Sequence, residues 1–99
     1  LSLHFSGGTA LLYDKDGDTL AGKGSYQLIE SDGSIYTRKR WWGQFVSDKE
    51  VKAGASVFIM EFEDGRKGEC ILLASDEVGS DAARHFYHFN GRGKLGNRK

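Results

Sequence analysis

The stretch Ser56-Val57-Phe58-Ile59-Met60-Glu61-Phe62-Glu63-Asp64-Gly65-Arg66-Lys67-Gly68-Glu69-Cys70-Ile71-Leu72-Leu73-Ala74 decides the fold class. It reads as a strand from Ser56 to Glu63, an Asp-Gly turn, and a strand from Arg66 to Ala74. β-branched and aromatic residues on both sides of Asp-Gly are a hairpin signature, because this pair tolerates the positive φ angles that tight turns require. Val57, Phe58, Ile59 and Met60 are apolar at successive positions, so the first of these strands should be covered on both faces. Cys70 and Leu72, with Ile71, are the expected buried residues of the second.

Working outward, two further pairs, Asp16-Gly17 and Asp32-Gly33, divide the upstream chain in the same way. They bound a strand from Leu3 to Asp14, bent at Gly7-Gly8, a strand from Thr19 to Glu30, and a strand from Ser34 to Val46. The second alternates Leu20, Gly22, Gly24, Tyr26 and Leu28 against Lys23, Ser25 and Gln27, the period of a half-buried strand. In the third, Ile35, Trp41 and Phe45 fall on one face and are expected in the core. Tyr36, Arg38, Arg40, Trp42 and Gln44 fall on the other. Two adjacent tryptophans in a strand cannot both face one interior, so Trp41 is assigned inside and Trp42 outside. Ser47 and Glu50 have the spacing of a capping box, and Gly54 would stop the helix, which predicts one short helical turn near 47–53. Ser75 to Ala83 reads as a polar loop, and Arg84 to Asn90 as a sixth strand carrying Phe86, Tyr87 and Phe89.

Six strands, short hairpins and no proline predict an all-β domain, a small antiparallel six-stranded β-barrel with a two-layer β-sandwich as the alternative. The glycine-interrupted strands favour the coiling and closure of a barrel. A chain of 99 residues is one domain, here 1–91, followed by a glycine-rich basic tail at 92–99 that is expected to be flexible.

Charge is balanced, Lys+Arg 14 against Asp+Glu 14, which removes any global attraction to nucleic acid or anionic lipid. It is nevertheless blocky: about −3 over 1–35, +3 over 36–52, −5 over 53–83 and +5 over 84–99. The two basic blocks matter only if folding brings them together. No apolar run approaches the length of a membrane span, and no membrane association is expected. A lone cysteine cannot form an internal disulfide, and Cys70 among Ile71, Leu72 and Leu73 reads as a buried thiol, which points to a reducing, cytoplasmic compartment. The first residue is Leu1 rather than Met, as in a processed protein or an excised domain.

Candidate motifs for chemistry are weak. Gly17-Asp18-Thr19-Leu20-Ala21-Gly22-Lys23 follows most of a phosphate-loop pattern, but Gly24 stands where Ser or Thr must hold magnesium, and the stretch enters a strand instead of a helix. Gly91-Arg92-Gly93-Lys94-Leu95-Gly96 spells a dinucleotide fingerprint at the chain end with no helix to follow. Asp14, Asp16 and Asp18 alternate like calcium ligands, yet Thr19 and Ser25 occupy the positions of the required Gly and Glu, so an acidic turn accounts for them better. His85 and His88 are three apart, which places them on opposite faces of a strand. No metal and no cofactor is expected.

The Tyr36, Arg38, Arg40 and Trp42 face is different, because interleaved Arg and aromatic residues are what protein interfaces concentrate. The leading reading is a non-enzymatic protein-interaction or self-association module centred on these four, with Arg92 and Lys94 as additions and a protein partner or a homo-oligomer as the occupant. The same face could stack bases and pair phosphates of single-stranded nucleic acid, which is the first alternative. A barrel holding a small apolar ligand among Tyr26, Trp41, Phe58, Met60 and Phe86 is the second. An enzyme with His85 or His88 as acid–base is the third class.

Overall fold

The computed structural model describes residues 2–52, 56–75 and 85–96. Six strands form: β1 Leu3–Asp14, β2 Leu20–Ser31, β3 Arg40–Ser47, β4 Val57–Phe62, β5 Lys67–Ala74 and β6 His85–Gly96. All pairings are antiparallel, and the order β1-β2-β3-β6-β5-β4 closes on itself into a barrel. Two three-stranded meanders are thus joined along β3–β6 and β1–β4, with the β3-to-β4 connection crossing one end. Among the described residues no helix is long and apolar enough to cross a membrane.

Each Asp-Gly pair sits in a connection between paired neighbours, and in each the glycine alone takes positive φ: Gly17 +78°, Gly33 +79° and Gly65 +93°. In the β4–β5 hairpin the Gly65 N–H bonds to the Phe62 carbonyl at 2.9 Å and the Phe62 N–H to the Arg66 carbonyl at 2.8 Å. This is a type I turn followed by a left-handed glycine, a geometry a side chain at position 65 would strain.

Alternation then sorts the side chains. Leu12, Leu28, Phe45, Met60, Phe62, Cys70, Leu72 and Phe89 are fully buried and fill the interior. Tyr26, Trp41 and Phe89 pack their rings around or beside Phe62 at centroid distances of 4.6 to 6.1 Å. Trp41 closes one end of the barrel. Its Nε1–H donates to the Gly93 carbonyl at 3.1 Å, and its indole lies over Gly91 of β6 and Gly68 of β5. A Cβ at Gly91 would fall inside the indole, and one at Gly68 would stand 2.8 Å from Cζ2. At the other end the Tyr87 hydroxyl accepts the Val51 N–H at 2.8 Å and donates to the Val51 carbonyl at 3.1 Å, tying the crossing segment to β6.

Four expectations change. The third strand starts at Arg40, because Ser34 to Lys39 form a turn, and Ile35, expected in the core, is 90% exposed. Phe86, expected to line an interior cavity, occupies an outward position of β6 beside the buried Tyr87 and is only half-buried. Residues 48–52 are not helical: the Ser47 hydroxyl accepts the Lys49 N–H at 3.2 Å, and Asp48 bonds Lys23 of β2 through its backbone N–H and its carboxylate. The Ser47 hydroxyl expected to cap a helix closes a local turn instead, and its neighbour Asp48 fastens the segment to β2; 53–55 lie outside the described residues. Finally, β6 runs on to Gly96, so 92–96 of the expected tail are strand, paired with β5 as far as Lys67; 97–99 are outside the described residues, as are 76–84 of the expected loop and strand start.

Candidate functional site

The outward face of β3 carries Arg40, Trp42, Gln44 and Val46. Trp42 is half-buried between Ile29 of β2 and Asn90 of β6, its register partners. The Arg40 guanidinium lies over the Trp42 ring, 5.4 Å from its centroid, where the ring quadrupole attracts the cation. Phe5 of β1 is opposite Ile29 and is 71% exposed, so Phe5, Ile29 and Trp42 form a row across three strands. A shallow open groove beside the row is lined by Gly7, Gln27, Gln44 and His88 together with Phe5 and Trp42.

Beside it stands the turn from Asp32 to Lys39. The Ser34 hydroxyl accepts the N–H groups of Tyr36 at 3.0 Å and Thr37 at 3.2 Å, and the Ser34 N–H bonds the Thr37 carbonyl at 2.9 Å. Serine capturing nearby backbone in this way competes with strand extension. The turn therefore ends the alternation and presents Ile35 and Tyr36, 90% and 88% exposed, at its tip. Tyr36 and Arg38 thus sit on the turn, and only Arg40 and Trp42 share a strand face.

Pairing of β3 with β6 joins the two basic blocks. Their ladder ends at Trp42 and Asn90, and the next outward positions beyond it are Arg40 and Arg92. Arg92 is also opposite Glu69 of β5, and Lys94 is exposed further along β6. Phe5 and Ile29 were missed from the sequence. Phe5 shares odd parity with Leu3, opposite to the buried Ala10 and Leu12, but only the β1–β2–β3 register places it beside Trp42.

The other polar clusters are structural. Arg66 donates from Nη1 to Glu30 at 2.7 Å and from Nε to Asp64 at 2.9 Å, tying the β4–β5 hairpin to β2. Burial raises the Asp64 carboxyl, but hydrogen bonds from the Arg66 amide and guanidinium outweigh it and hold the group below its ordinary range. Glu63 is held low by the Thr9 N–H and hydroxyl, at 2.6 and 3.0 Å from Oε1. Burial, with the charges of Asp64 and Glu63, pushes the Tyr26 phenol up. Asp16 accepts the Asp18 N–H at 2.8 Å, the local turn bond of an acidic hairpin. His4 meets Asp32 at 3.0 Å with both side chains exposed. Burial pushes the Cys70 thiol up to about 12, so it is a protonated core group and a poor nucleophile. Among the described residues no three His, Cys, Asp or Glu side chains converge as metal ligands.

Comparison with protein-family models, with curated proteins and with solved structures returns no match, so the meaning of this surface rests on its own chemistry.

Proposed function

We propose that this barrel is a protein-interaction module. Its contact surface is the Arg40–Trp42 stack with Tyr36 and Arg38 on the adjoining turn, Arg92 and Lys94 on β6, and Phe5 and Ile35 as apolar additions. One observation carries the reading: Phe5, in the row with Trp42, and Ile35 and Tyr36, on the turn that leads into Arg40, are 71%, 90% and 88% exposed around an arginine-stacked tryptophan. Large apolar side chains so exposed gain most from being covered, and Trp, Tyr and Arg are the residues that dominate protein contacts. The Trp42 ring already carries a guanidinium, so a base would have to displace Arg40 to stack there. Glu69 opposite Arg92 also weakens the field that a phosphate backbone would meet. Protein contact is therefore favoured over single-stranded nucleic acid.

A photoreactive residue at position 36 tests this in the cells that make the protein. It should give discrete protein adducts that disappear in Trp42→Ala and Arg40→Glu, whereas the same probe at Lys15, at the far end, gives none. Equal adducts at both positions would refute the surface. Tight, salt-sensitive binding of short oligonucleotides that Arg40→Glu abolishes would replace the reading with a nucleic-acid one.

A further inference from the structure

β1 is paired with β2 along its whole length, but with β4 only from Ala10 onward. One edge of β1 from Leu3 to Gly8 is therefore free among the described residues. The parity of that edge is settled by its ends. Thr9 turns its N–H and carbonyl toward Glu63, at 2.6 and 3.0 Å, whereas Ser2 turns its carbonyl toward Asp32 of the β2 side at 3.1 Å. Alternate residues follow suit, so Leu3, Phe5 and Gly7 each present an unpaired N–H and C=O outward. Such an edge is a template for another strand, and proteins usually block it with Lys, Pro or a bulge. None is present here: no Lys or Pro lies between Leu3 and Gly8, and the only irregularity in the β1–β2 ladder is at Leu12/Tyr13.

We propose that a second copy of this chain pairs with this edge, β1 antiparallel to β1 about a two-fold axis at Phe5, giving a symmetric dimer. In that register Phe5 faces Phe5 of the second copy, and each Leu3 faces the other copy's Gly7. It is the register that uses all three free positions of both copies and leaves Thr9, whose groups Glu63 occupies, untouched. The sizes match, since each leucine covers a glycine and the two phenylalanines meet as a cross-strand aromatic pair. The free edge has no Asp, Glu, Lys or Arg of its own, and ends beside the Glu63 carboxylate at one end and the His4–Asp32 pair at the other. Antiparallel pairing keeps the two Glu63 carboxylates at opposite ends of the ladder, so these like charges do not meet across it. The interface is isologous, as two-fold dimers require, and its short ladder places it among small, reversible contacts. Pairing uses the backbone edge of β1 and not the basic turn; Phe5 is common to both surfaces, so Arg40→Glu, which touches only the protein-binding one, tells the failure of the dimer from the failure of that reading.

Sedimentation of the full chain over a range of concentrations should show a reversible monomer–dimer equilibrium. Phe5→Lys should weaken it at least tenfold without changing the circular dichroism spectrum or the urea midpoint, because Phe5 is largely exposed. Arg40→Glu should leave it unchanged. Phe5→Cys should be joined to itself by a short thiol cross-linker. Leu3→Cys should not, since two such residues stand roughly 14 Å apart at about 3.4 Å per residue. A monomer at all concentrations overturns the proposal, and so does a dimer that survives Phe5→Lys. A dimer lost in Arg40→Glu instead assigns self-association to the other surface and overturns it equally.

Discussion

The packing of Trp41 against Gly91 yields a quantitative prediction with an internal control. Trp41 is 4% exposed, contacts Phe62 and Phe89, and donates its indole N–H to Gly93. Trp41→Ala removes that burial and leaves a cavity, which costs about 3–5 kcal/mol. A domain of this size has roughly 5–15 kcal/mol in total, and each kcal/mol moves Tm by about 4–8 °C. Gly91 lies beneath the indole with φ outside the left-handed region, so alanine suits its backbone but not its space. Gly91→Ala should cost about 1–3 kcal/mol as overpacking. In the Trp41→Ala background the same methyl enters vacated space, and its cost should vanish or become a gain of up to about 1 kcal/mol. The coupling between the two changes is then about 1–4 kcal/mol, well outside the roughly 0.3–0.5 kcal/mol scatter of independent sites. Urea unfolding followed by far-ultraviolet circular dichroism measures all four corners of the cycle. Additive losses would refute the packing, as would a Trp42→Ala variant that loses as much stability as Trp41→Ala.

Tyr87→Phe removes the hydroxyl that satisfies both backbone groups of the buried Val51 and should cost about 1–3 kcal/mol; urea unfolding indistinguishable from wild type would show that the crossing segment is held by other contacts. The Glu63 and Asp64 carboxyls lie below their ordinary values of 4.5 and 3.8 in the folded chain, so the stability they contribute is present above those values and lost as pH falls through the lowered ones. The urea midpoint of the wild type should therefore fall in acid more steeply than that of Glu63→Gln or Asp64→Asn, and parallel pH profiles would contradict the assigned hydrogen bonds.

What was legible in the sequence is what local chemistry controls. The Asp-Gly pairs mark the β1–β2, β2–β3 and β4–β5 connections because a left-handed glycine depends on a few adjacent residues. Strict alternation placed Trp41 inside and Trp42 outside for the same reason. Ile35 was misread where two local signals compete: alternation continues through Ser34 to Lys39, but the Ser34 hydroxyl binds the N–H groups of Tyr36 and Thr37 and bends the chain away. The end of β6 was misread for the opposite reason, since a glycine-rich segment with little strand propensity is held by β5, far away in sequence.

The tertiary structure alone decided which strands are neighbours. Closure in the order β1-β2-β3-β6-β5-β4 sets Arg40 and Arg92 at matching positions just beyond the β3–β6 ladder, Phe5 in one row with Ile29 and Trp42, and Arg66 against Glu30. It also leaves one edge of β1 from Leu3 to Gly8, the one away from β2, free among the described residues, since β4 ends at Phe62 and β1 runs on past it. The sequence by itself determined strands, turns and the inward or outward sense of each side chain, because these follow from steric limits on neighbouring peptides. Strand order and the free edge follow from how the whole set of apolar faces closes into one interior, a balance that no single stretch contains.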